Sequence, residues 1–308
     1  VVPEVAARAH AECITAVIDE AMSSAKCTAE QIDGVSVVNR PGLVGALLVG
    51  ISAAKALSIA WDKPLVGVDH IVGHVYASVL AGFNVFPHVS LIVSGGHTSL
   101  YRVASPLEIS VLGQTADDAA GEAFDKVARM LELGFPGGPA LSKLADQAPP
   151  EKRRLFAHIV RAAIGEGDQG PSESLDFSFS GLKTAVYYHL RGTTRGRGPL
   201  RVLTQEEKIQ VAGSFEEAAC EIMVTKTLAA CARSGIRAAA IGGGVGCNRR
   251  LREMFQQRAA AAGVNVFFPP PSLCTDNAAM SAGLAWHRLQ RGESDSCELD
   301  ADPTPKRA

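Results

Sequence analysis

In the N-terminal part of the chain, segments with helical spacing of apolar residues alternate with short strand-like segments. Apolar side chains recur every three or four residues over 4–26, 42–61 and 69–80, which predicts helices. The stretch 32–38 is short and rich in β-branched residues, and the stretch 64–68 is short and apolar, so both are predicted as strands. In the first helix, the predicted apolar stripe is Val5, Ala9, Cys13, Val17 and Ala21. Alternating strands and helices are typical of a layered α/β structure, which is the predicted fold class.

The pattern changes near Pro87, where a second lobe is predicted to start. Residues 88–93 and 98–103 are β-type runs on either side of the turn 94–97, whose Gly-Gly pair is a strong hairpin signal. Further elements are predicted as helices at 115–147 (broken at 134–139), 204–233 and 276–289, and strands at 238–241 and 264–268. After Arg291 the composition becomes polar and predicts a loose tail.

The composition restricts the possible functions. The 308 residues are 47% apolar, which is enough for substantial cores, and 30 basic against 32 acidic residues leave a net charge of −2. Because the chain is not broadly basic, a nucleic-acid partner would need a local patch or a companion subunit. The basic loop at 191–201 either contacts such a partner or is merely solvated.

The cysteines and the longest apolar run indicate an intracellular protein without a membrane span. Seven cysteines contain no C-x-x-C pair, which predicts reduced thiols. The apolar run 42–60 contains glycines, a serine and Lys55, so it predicts a buried helix, and no signal peptide opens the sequence. The sequence begins with Val1 in the middle of a pattern, and we expect residues before it.

A histidine pair and a distant aspartate are candidates for binding a metal ion. His70 and His74 are four positions apart, so both imidazoles share one face of a helix. Two ligands make a weak site, and an oxygen ligand such as Asp276 would complete it. However, an acid that opens a predicted helix is more often a simple cap, and an isolated histidine pair is as often merely exposed. The residues alone leave both possibilities open.

Two glycine-rich turns are candidates for binding phosphate. The loop 242–248 lies between a predicted strand and a helix, where backbone N–H groups can approach a ligand, and Asn248 either contacts a nucleoside or caps the helix. The turn 94–98 can wrap a phosphate or be a plain tight turn. Three acids on one predicted helical face need a cation, a sugar hydroxyl or solvent: Asp118, Glu122 and Asp125.

Taken in order, these segments resemble one known family. Over residues 1–289 the sequence is similar to the tRNA adenosine threonylcarbamoyltransferases, once called O-sialoglycoprotein endopeptidases. The segments that carry the resemblance are 1–10, 70–74, 93–98, 117–126, 135–139, 179–184, 242–248 and 274–277.

The resemblance implies an ASKHA (actin, sugar kinase and Hsp70-like) fold, with two ribonuclease-H-like lobes around a nucleotide cleft. We expect lobe I at 1–86, lobe II at 87–270, a helix at 271–290 that closes the cleft and returns toward lobe I, and a flexible tail at 291–308. The family begins with strands and a phosphate loop of the Glu-Thr-Ser-Cys-Asp-Glu type. Nothing in this sequence corresponds to them, so lobe I is expected to be N-terminally truncated.

The resemblance also implies ligands, a reaction and partners. It implies that His70, His74 and Asp276 bind one iron or zinc ion. It implies that threonylcarbamoyl-AMP is bound by Ile92, Val93, Ser94, Gly95, Gly96, Asp125, Gly138 and Asn248. The expected reaction transfers threonylcarbamoyl to the exocyclic amine of the adenosine next to the anticodon, in tRNAs reading codons that start with A. No residue is assigned to accept the amine proton. Expected partners are tRNA and, in bacteria, a paralogous scaffold subunit and a small ATPase, in the cytoplasm and away from membranes.

Two positions depart from the family pattern. Ser142 replaces an aspartate found in some relatives. Arg40 stands where the family usually has glycine, so that it either crowds the loop or contacts phosphate.

Three different functions compete with the transferase. A metallopeptidase needs a glutamate beside its first histidine, and Ile71 occupies that position, which disfavours this function. A non-catalytic scaffold would be marked by loss of the metal residues, and these are present. A small-molecule kinase of the same fold would phosphorylate a small substrate and need no tRNA.

Overall fold

The computed structural model describes residues 2–164, 174–192 and 201–304, and these form two compact units. Unit 1 comprises Val1–Gly82, Ser105–Glu108 and Asp276–Ala308, and unit 2 comprises Phe83–Ala104 and Ile109–Thr275. Most of the predicted basic loop, residues 193–200, lies outside the described residues.

Strands and helices alternate through the described residues, which confirms the predicted α/β class. The helices are α1 (Pro3–Ala25), α2 (Val44–Trp61), α3 (His70–Leu80), α4 (Ala120–Met130), α5 (Gly137–Ala145), α6 (Ala157–Ile164), α7 (Ser180–Arg191), α8 (Gln205–Ser234), α9 (Arg249–Ala262), α10 (Pro271–Cys274) and α11 (Ala278–Gln290). The strands are β1 (Val35–Arg40), β2 (Leu65–Asp69), β3 (His88–Val93), β4 (Thr98–Ser105), β5 (Glu108–Gln114), β6 (Ala238–Gly242) and β7 (Asn265–Phe267). The break predicted at 134–139 separates α4 from α5, and the segment 271–290, expected as one helix, contains both α10 and α11.

In unit 1, β1 and β2 pair in parallel, from Val35 opposite Leu65 onward, and α2 packs between β1 and α1. The predicted apolar stripe on α1 is wrong, because no residue of α1 is buried. The partly buried positions are instead Ala6, Ala7, Ile14, Ile18 and Met22. A Cβ on Gly45 of α2 would lie 3.0 Å from the Cβ of Ala7, so the missing side chain permits this face of α1 to approach α2.

Helix α2 is buried on one face only, whereas the sequence predicted a buried helix. Leu47, Ile51 and Ala54 are buried, while Leu48 and Ile59 are exposed. Among the described helices, α2 is the one that is long and apolar enough to cross a membrane by length and composition alone. A helix that packs on a sheet meets the same criteria, and α2 packs on β1.

The segment after α11 is held against unit 1, in contrast to the flexible tail predicted for 291–308. The backbone N–H of Asp295 donates to the carbonyl of Leu65 at 2.7 Å, and that of Asp302 donates to the carbonyl of Asn39 at 2.9 Å. Oδ2 of Asp295 accepts a hydrogen bond from the N–H of Gly67 at 2.7 Å. Polar composition suggested a loose tail, but here the polar groups satisfy backbone groups of β1 and β2.

Unit 2 is built on a five-stranded sheet with the order β5-β4-β3-β6-β7. Strands β3, β6 and β7 run parallel, and β4 is antiparallel to β3. Ile92 of β3 lies opposite Gly242 of β6, so the turn after β3 and the loop after β6 leave the sheet at the same edge. Ligands of α/β proteins commonly bind beyond the carboxyl ends of parallel strands. Both predicted glycine turns are at that edge.

Helix α8 is the central helix of unit 2, and its start follows from the sequence. Thr204 and Glu207 form a reciprocal capping box at its N-terminus, and Gly235 ends it in the left-handed conformation. Helices α5, α6, α7 and α9 contact α8. The largest fully buried side chains of this core include Phe177, Phe179, Phe215 and Phe255. Such aromatic burial holds the surrounding helices at fixed positions.

Candidate functional site

The histidine pair lies on the first turns of α3, in unit 1. The carboxylate of Asp69 caps this helix by accepting hydrogen bonds from the N–H groups of Ile71 at 2.8 Å and Val72 at 3.2 Å. The cap fixes where α3 begins and places His70 and His74 one turn apart, with ring centroids separated by 4.6 Å. The predicted shared face is therefore present.

Asp276 lies beside the two imidazoles. Its Oδ1 is 3.0 Å from Nε2 of His74 and 3.5 Å from Nε2 of His70. From the sequence, Asp276 could have been the N-cap of α11. In the structure its neighbour Asn277 is the cap, because Oδ1 of Asn277 accepts the N–H of Met280 at 2.9 Å. Asp276 precedes α11, and its side chain is 81% exposed. It is therefore not needed to start the helix.

Close packing of α3 on α11 brings Asp276 to the histidines. A Cβ on Gly283 of α11 would lie 2.5 Å from the ring of Tyr76 on α3, so the glycine makes room for that ring. The hydroxyl of Tyr76 is 3.0 Å from Nε2 of His287, which holds the two helices together further along their lengths. The third donor is thus positioned by a contact between helices far apart in sequence.

The donor set fits a divalent metal ion. The ligand atoms of His70, His74 and Asp276 all lie within 4.8 Å of one another, and they are the group of this kind found among the described residues. Burial, and next the proximity of His74, lower the pKa of His70, which favours the neutral imidazole that a metal requires. Imidazole nitrogens and carboxylate oxygens are ligands that divalent metal ions commonly take in proteins.

In unit 2, the two glycine turns at the sheet edge depend on close backbone contacts. Gly243 has φ +83°, and a Cβ there would lie 2.3 Å from the carbonyl oxygen of Val93, so only glycine fits. The turn after β3 is closed by a backbone hydrogen bond of 2.8 Å from Ser94 to His97. Around Gly95 and Gly96, by contrast, a Cβ would meet nothing within 4 Å, so that side of the turn is open.

Helices α4 and α5 complete this side of unit 2. A Cβ on Gly121 would lie 2.5 Å from the carbonyl oxygen of Ser94, which lets α4 start directly against the turn. Oδ1 of Asp125, one turn further along α4, accepts the N–H of Gly138 at 3.1 Å. The carboxylate therefore holds the first turn of α5 beside the glycine turns.

These elements enclose a pocket of about 480 Å³, within the range typical of small-molecule sites. Its lining comprises Gly95, Gly121, Phe124, Asp125, Gly138, Pro139, Ser142, Gly244, Val245, Cys247, Asn248, Arg249 and Thr275. Of the eight residues expected to bind the adenylate, four line this pocket: Gly95, Asp125, Gly138 and Asn248. Ile92 and Val93 have buried side chains in β3, so they can offer a ligand only their backbone, and Ser94 and Gly96 belong to the adjoining turn.

The neighbouring acids that the sequence grouped together have separate partners. Asp118 pairs with Lys126 at 2.7 Å and also with Lys183, and Glu122 pairs with Lys126 at 2.7 Å. Although burial opposes it, these lysines lower the pKa of Asp118. The positive charge that offsets Asp118 and Glu122 therefore comes from lysine side chains of unit 2. Of the three acids, Asp125 is the one that lines the pocket.

The sequence profile of the family described as tRNA N6-adenosine threonylcarbamoyltransferase (TsaD) matches residues 1–283. A relative of that name from Symbiobacterium thermophilum is 46% identical over 305 residues, covering 98% of this chain and 84% of the relative. Another, from Geobacter metallireducens, is 46% identical over 301 residues, with coverage of 98% and 84%. The chain belongs to the tRNA N6-adenosine threonylcarbamoyltransferase family.

The fold agrees with this assignment. The crystal structure of HypF from T. kodakarensis matches with a TM-score of 0.61 and 14% identity, covering 89% of this chain and 43% of that one. At this identity the likeness concerns the fold alone, which is α/β of the ASKHA class.

Sequence reasoning missed several residues that line the pocket of this threonylcarbamoyltransferase-family chain. Gly121 and Phe124 precede Asp125 on α4 by about one turn or less, and Pro139 follows Gly138 on α5. The helical period could have found these three once Asp125 and Gly138 were chosen. Ser142, which the sequence marked only as a departure from the family pattern, also lines the pocket. Thr275 carries no such signal, because its place depends on how α10 packs against the 3₁₀ turn Gly244–Cys247.

Proposed function

We propose that this chain transfers the threonylcarbamoyl group from threonylcarbamoyl-AMP to the N6 amine of the adenosine next to the anticodon, in tRNAs that read codons starting with A. One observation carries the proposal: Gly95, Asp125, Gly138 and Asn248, which come from four separate segments, line one pocket in a chain of this family. The pocket has the size and the glycine turns that an adenylate requires.

The chemistry needs no nucleophilic side chain. The amine nitrogen of adenosine forms a bond to the carbamoyl carbon, the bond from that carbon to the phosphate oxygen breaks, AMP leaves with the electron pair, and the amine loses a proton. Our proposal assigns the backbone turns 94–96 and 243–244 to the phosphate, where N–H groups and the absence of side chains favour an anion. Asp125 and Asn248 are assigned to the nucleoside part.

We propose further that His70, His74 and Asp276 hold one iron or zinc ion. The support is the set of three donor atoms within 4.8 Å of one another. Such an ion supplies Lewis acidity toward a carbonyl or phosphate oxygen. The chain's own contribution is to hold two imidazoles and a carboxylate in place through the α3–α11 contact.

The partners follow from the charge and the surface. With 30 basic and 32 acidic residues, the chain lacks the overall charge of a strong tRNA binder, so we propose that accessory proteins of the transfer complex share that task. Exposed apolar side chains on α1 and α2, such as Val5, Val17 and Ile59, support a protein partner. All seven cysteines are unpaired, which supports a reducing compartment such as the cytoplasm.

The test is transfer of labelled threonylcarbamoyl from its adenylate to a tRNA transcript that reads a codon starting with A, with the accessory proteins added. The control transcript carries guanosine in place of the acceptor adenosine. We expect label in the first transcript only, recovered as threonylcarbamoyladenosine after digestion. The proposal is wrong if the Geobacter metallireducens relative labels the transcript in this assay and the present chain does not. Phosphate transfer from ATP to a small molecule would instead indicate a kinase.

A further inference from the structure

The side-chain amide of Asn248 makes three hydrogen bonds within unit 2. Its Nδ2 donates to Oγ of Ser142 at 2.9 Å and to Oε1 of Glu216 at 2.7 Å. Its Oδ1 accepts the N–H of Leu251 at 2.8 Å and thereby caps α9. Both amide hydrogens and one lone pair of the amide oxygen are therefore used by the protein itself, which ties this pocket residue to α5, α8 and α9.

Glu216 is the group that distinguishes the two ends of this amide. A carboxylate accepts hydrogen bonds and cannot donate them, so it attracts Nδ2 of Asn248 and repels Oδ1. If the amide were turned over, its oxygen would face Oε1 of Glu216 and its NH₂ group would face the N–H of Leu251. Both contacts would be repulsive, so the carboxylate leaves one orientation.

The setting of Glu216 is unusual for an acid that is not in the lining of the pocket described above. It lies on the central helix α8 and is 1% exposed. Nη1 of Arg153 is 4.0 Å from its Oε2, while the other guanidinium nitrogens of Arg153 donate to the carbonyls of Ala145 and Ala148 at the end of α5. Burial raises the pKa of Glu216, opposed by hydrogen bonds from Asn248 and Ser142. Burying a carboxyl group lowers the free energy of unfolding. We therefore expect Glu216 to contribute conformational specificity and not stability.

We propose that Glu216 is a positioning residue for the nucleotide pocket: its carboxyl group fixes the orientation of Asn248 and joins α5 to the start of α9 along one wall. This inference rests on the proposed function, because it concerns the pocket assigned there to the adenylate. Glu216 is 1% exposed and acts through Asn248, which in turn donates to Oγ of Ser142 on α5.

The experiment measures AMP binding to the purified protein by isothermal titration calorimetry, with thermal unfolding recorded for every variant. We expect Glu216→Ala to weaken AMP binding by about tenfold or more, because Nδ2 of Asn248 loses a buried acceptor. Glu216→Gln retains an oxygen that accepts from Nδ2 of Asn248, so its affinity is expected to stay within about threefold of wild type. Glu221→Gln is the matched control, since Glu221 is on the same helix, 41% exposed and 3.8 Å from Arg258. It should bind AMP like wild type.

A reciprocal exchange keeps the proposal testable if Glu216→Ala does not fold. Asn248→Asp retains an oxygen that caps α9 but sets a second carboxylate against Glu216, so AMP binding should weaken by about tenfold. Adding Glu216→Gln to that variant supplies an NH₂ group opposite the new carboxylate, and we expect most of the loss to be recovered.

The outcomes separate this inference from the function on which it rests. If wild-type protein does not bind AMP, the assignment of the pocket to the adenylate is wrong, and the role proposed for Glu216 is wrong with it. If wild type binds AMP, then a folded Glu216→Ala protein with wild-type affinity overturns the positioning role alone. Purely additive effects of Glu216→Gln and Asn248→Asp would overturn it as well, because additivity means that the two side chains do not act on each other.

Discussion

The donor set in unit 1 and the pocket in unit 2 are built from different parts of the chain. In unit 1 the chemistry belongs to side chains: two imidazoles on α3 and one largely exposed carboxylate before α11. In unit 2 it belongs mostly to the backbone, where Gly243 fits against Val93 as no other residue could and the turn at Gly95 stays open. We expect that a donor side chain can be removed with little effect on the fold. A substitution in a glycine turn, by contrast, should disrupt both the site and the fold around it.

The largest expected effect tests the side-chain part of this comparison. We expect His70→Ala/His74→Ala to reduce bound iron or zinc from about one ion per chain to almost none, because only one of three ligands remains. Mass spectrometry of metal content after purification measures this. The thermal midpoint of the metal-free variant should match that of chelator-treated wild type.

His158→Ala is the control for that experiment, since His158 is exposed on α6 of unit 2. Unchanged metal content in His70→Ala/His74→Ala would contradict the donor set. Equal loss of metal in His158→Ala would show that the loss does not depend on these donors.

The backbone part of the comparison predicts the next largest effect. Gly243→Ala should lower the free energy of unfolding by about 3 kcal/mol, because φ is +83° and the new Cβ would lie 2.3 Å from the carbonyl oxygen of Val93. At the adjacent Gly244 a Cβ meets nothing within 4 Å, so Gly244→Ala should cost well below about 1 kcal/mol. Urea unfolding of both proteins measures the difference, and equal losses would contradict the role of the turn.

Asp125 is the point in unit 2 where a side chain supports a backbone turn. Asp125→Ala removes the acceptor for the N–H of Gly138, 3.1 Å away, and should weaken AMP binding by about tenfold. Asp125→Asn keeps an oxygen in that position and should lose less. If both variants bind AMP like wild type, Asp125 neither contacts the nucleotide nor holds the first turn of α5 in a position that AMP binding needs.

The smallest effect concerns the ion pairs that Asp118 makes with Lys126 and Lys183. The pKa of Asp118 is lowered below its ordinary value of 3.8, so its pairing stabilises the fold above that pH and is lost as the pH falls below it. Asp118→Asn should therefore lower the thermal midpoint by about 2–3 °C at pH 7. The difference from wild type should shrink toward about pH 3, and a difference that is constant with pH would contradict the pairing.

Much of the fold could be predicted from local sequence signals, whereas the sites depend on contacts between distant segments. The capping box at Thr204 and the hairpin at 94–97 are encoded within a few residues, so α8 and the β3–β4 pair were predicted closely. The role of Asp276 could not be, because whether it caps α11 or faces the histidines depends on Asn277 and on the packing of α3 against α11. Glu216 gave no signal, since nothing local distinguishes a buried acid on a helix that also carries exposed acids.

The contact between His74 and Asp276 closes a loop of 202 residues. In an unfolded chain, bringing the ends of such a loop together costs about 5 kcal/mol of conformational entropy. An unfolded chain therefore offers an ion the two histidines alone, and the carboxylate joins only when α11 has docked. A metal ion bound by all three would act as a reversible cross-link, so its removal should accelerate unfolding more than it slows refolding.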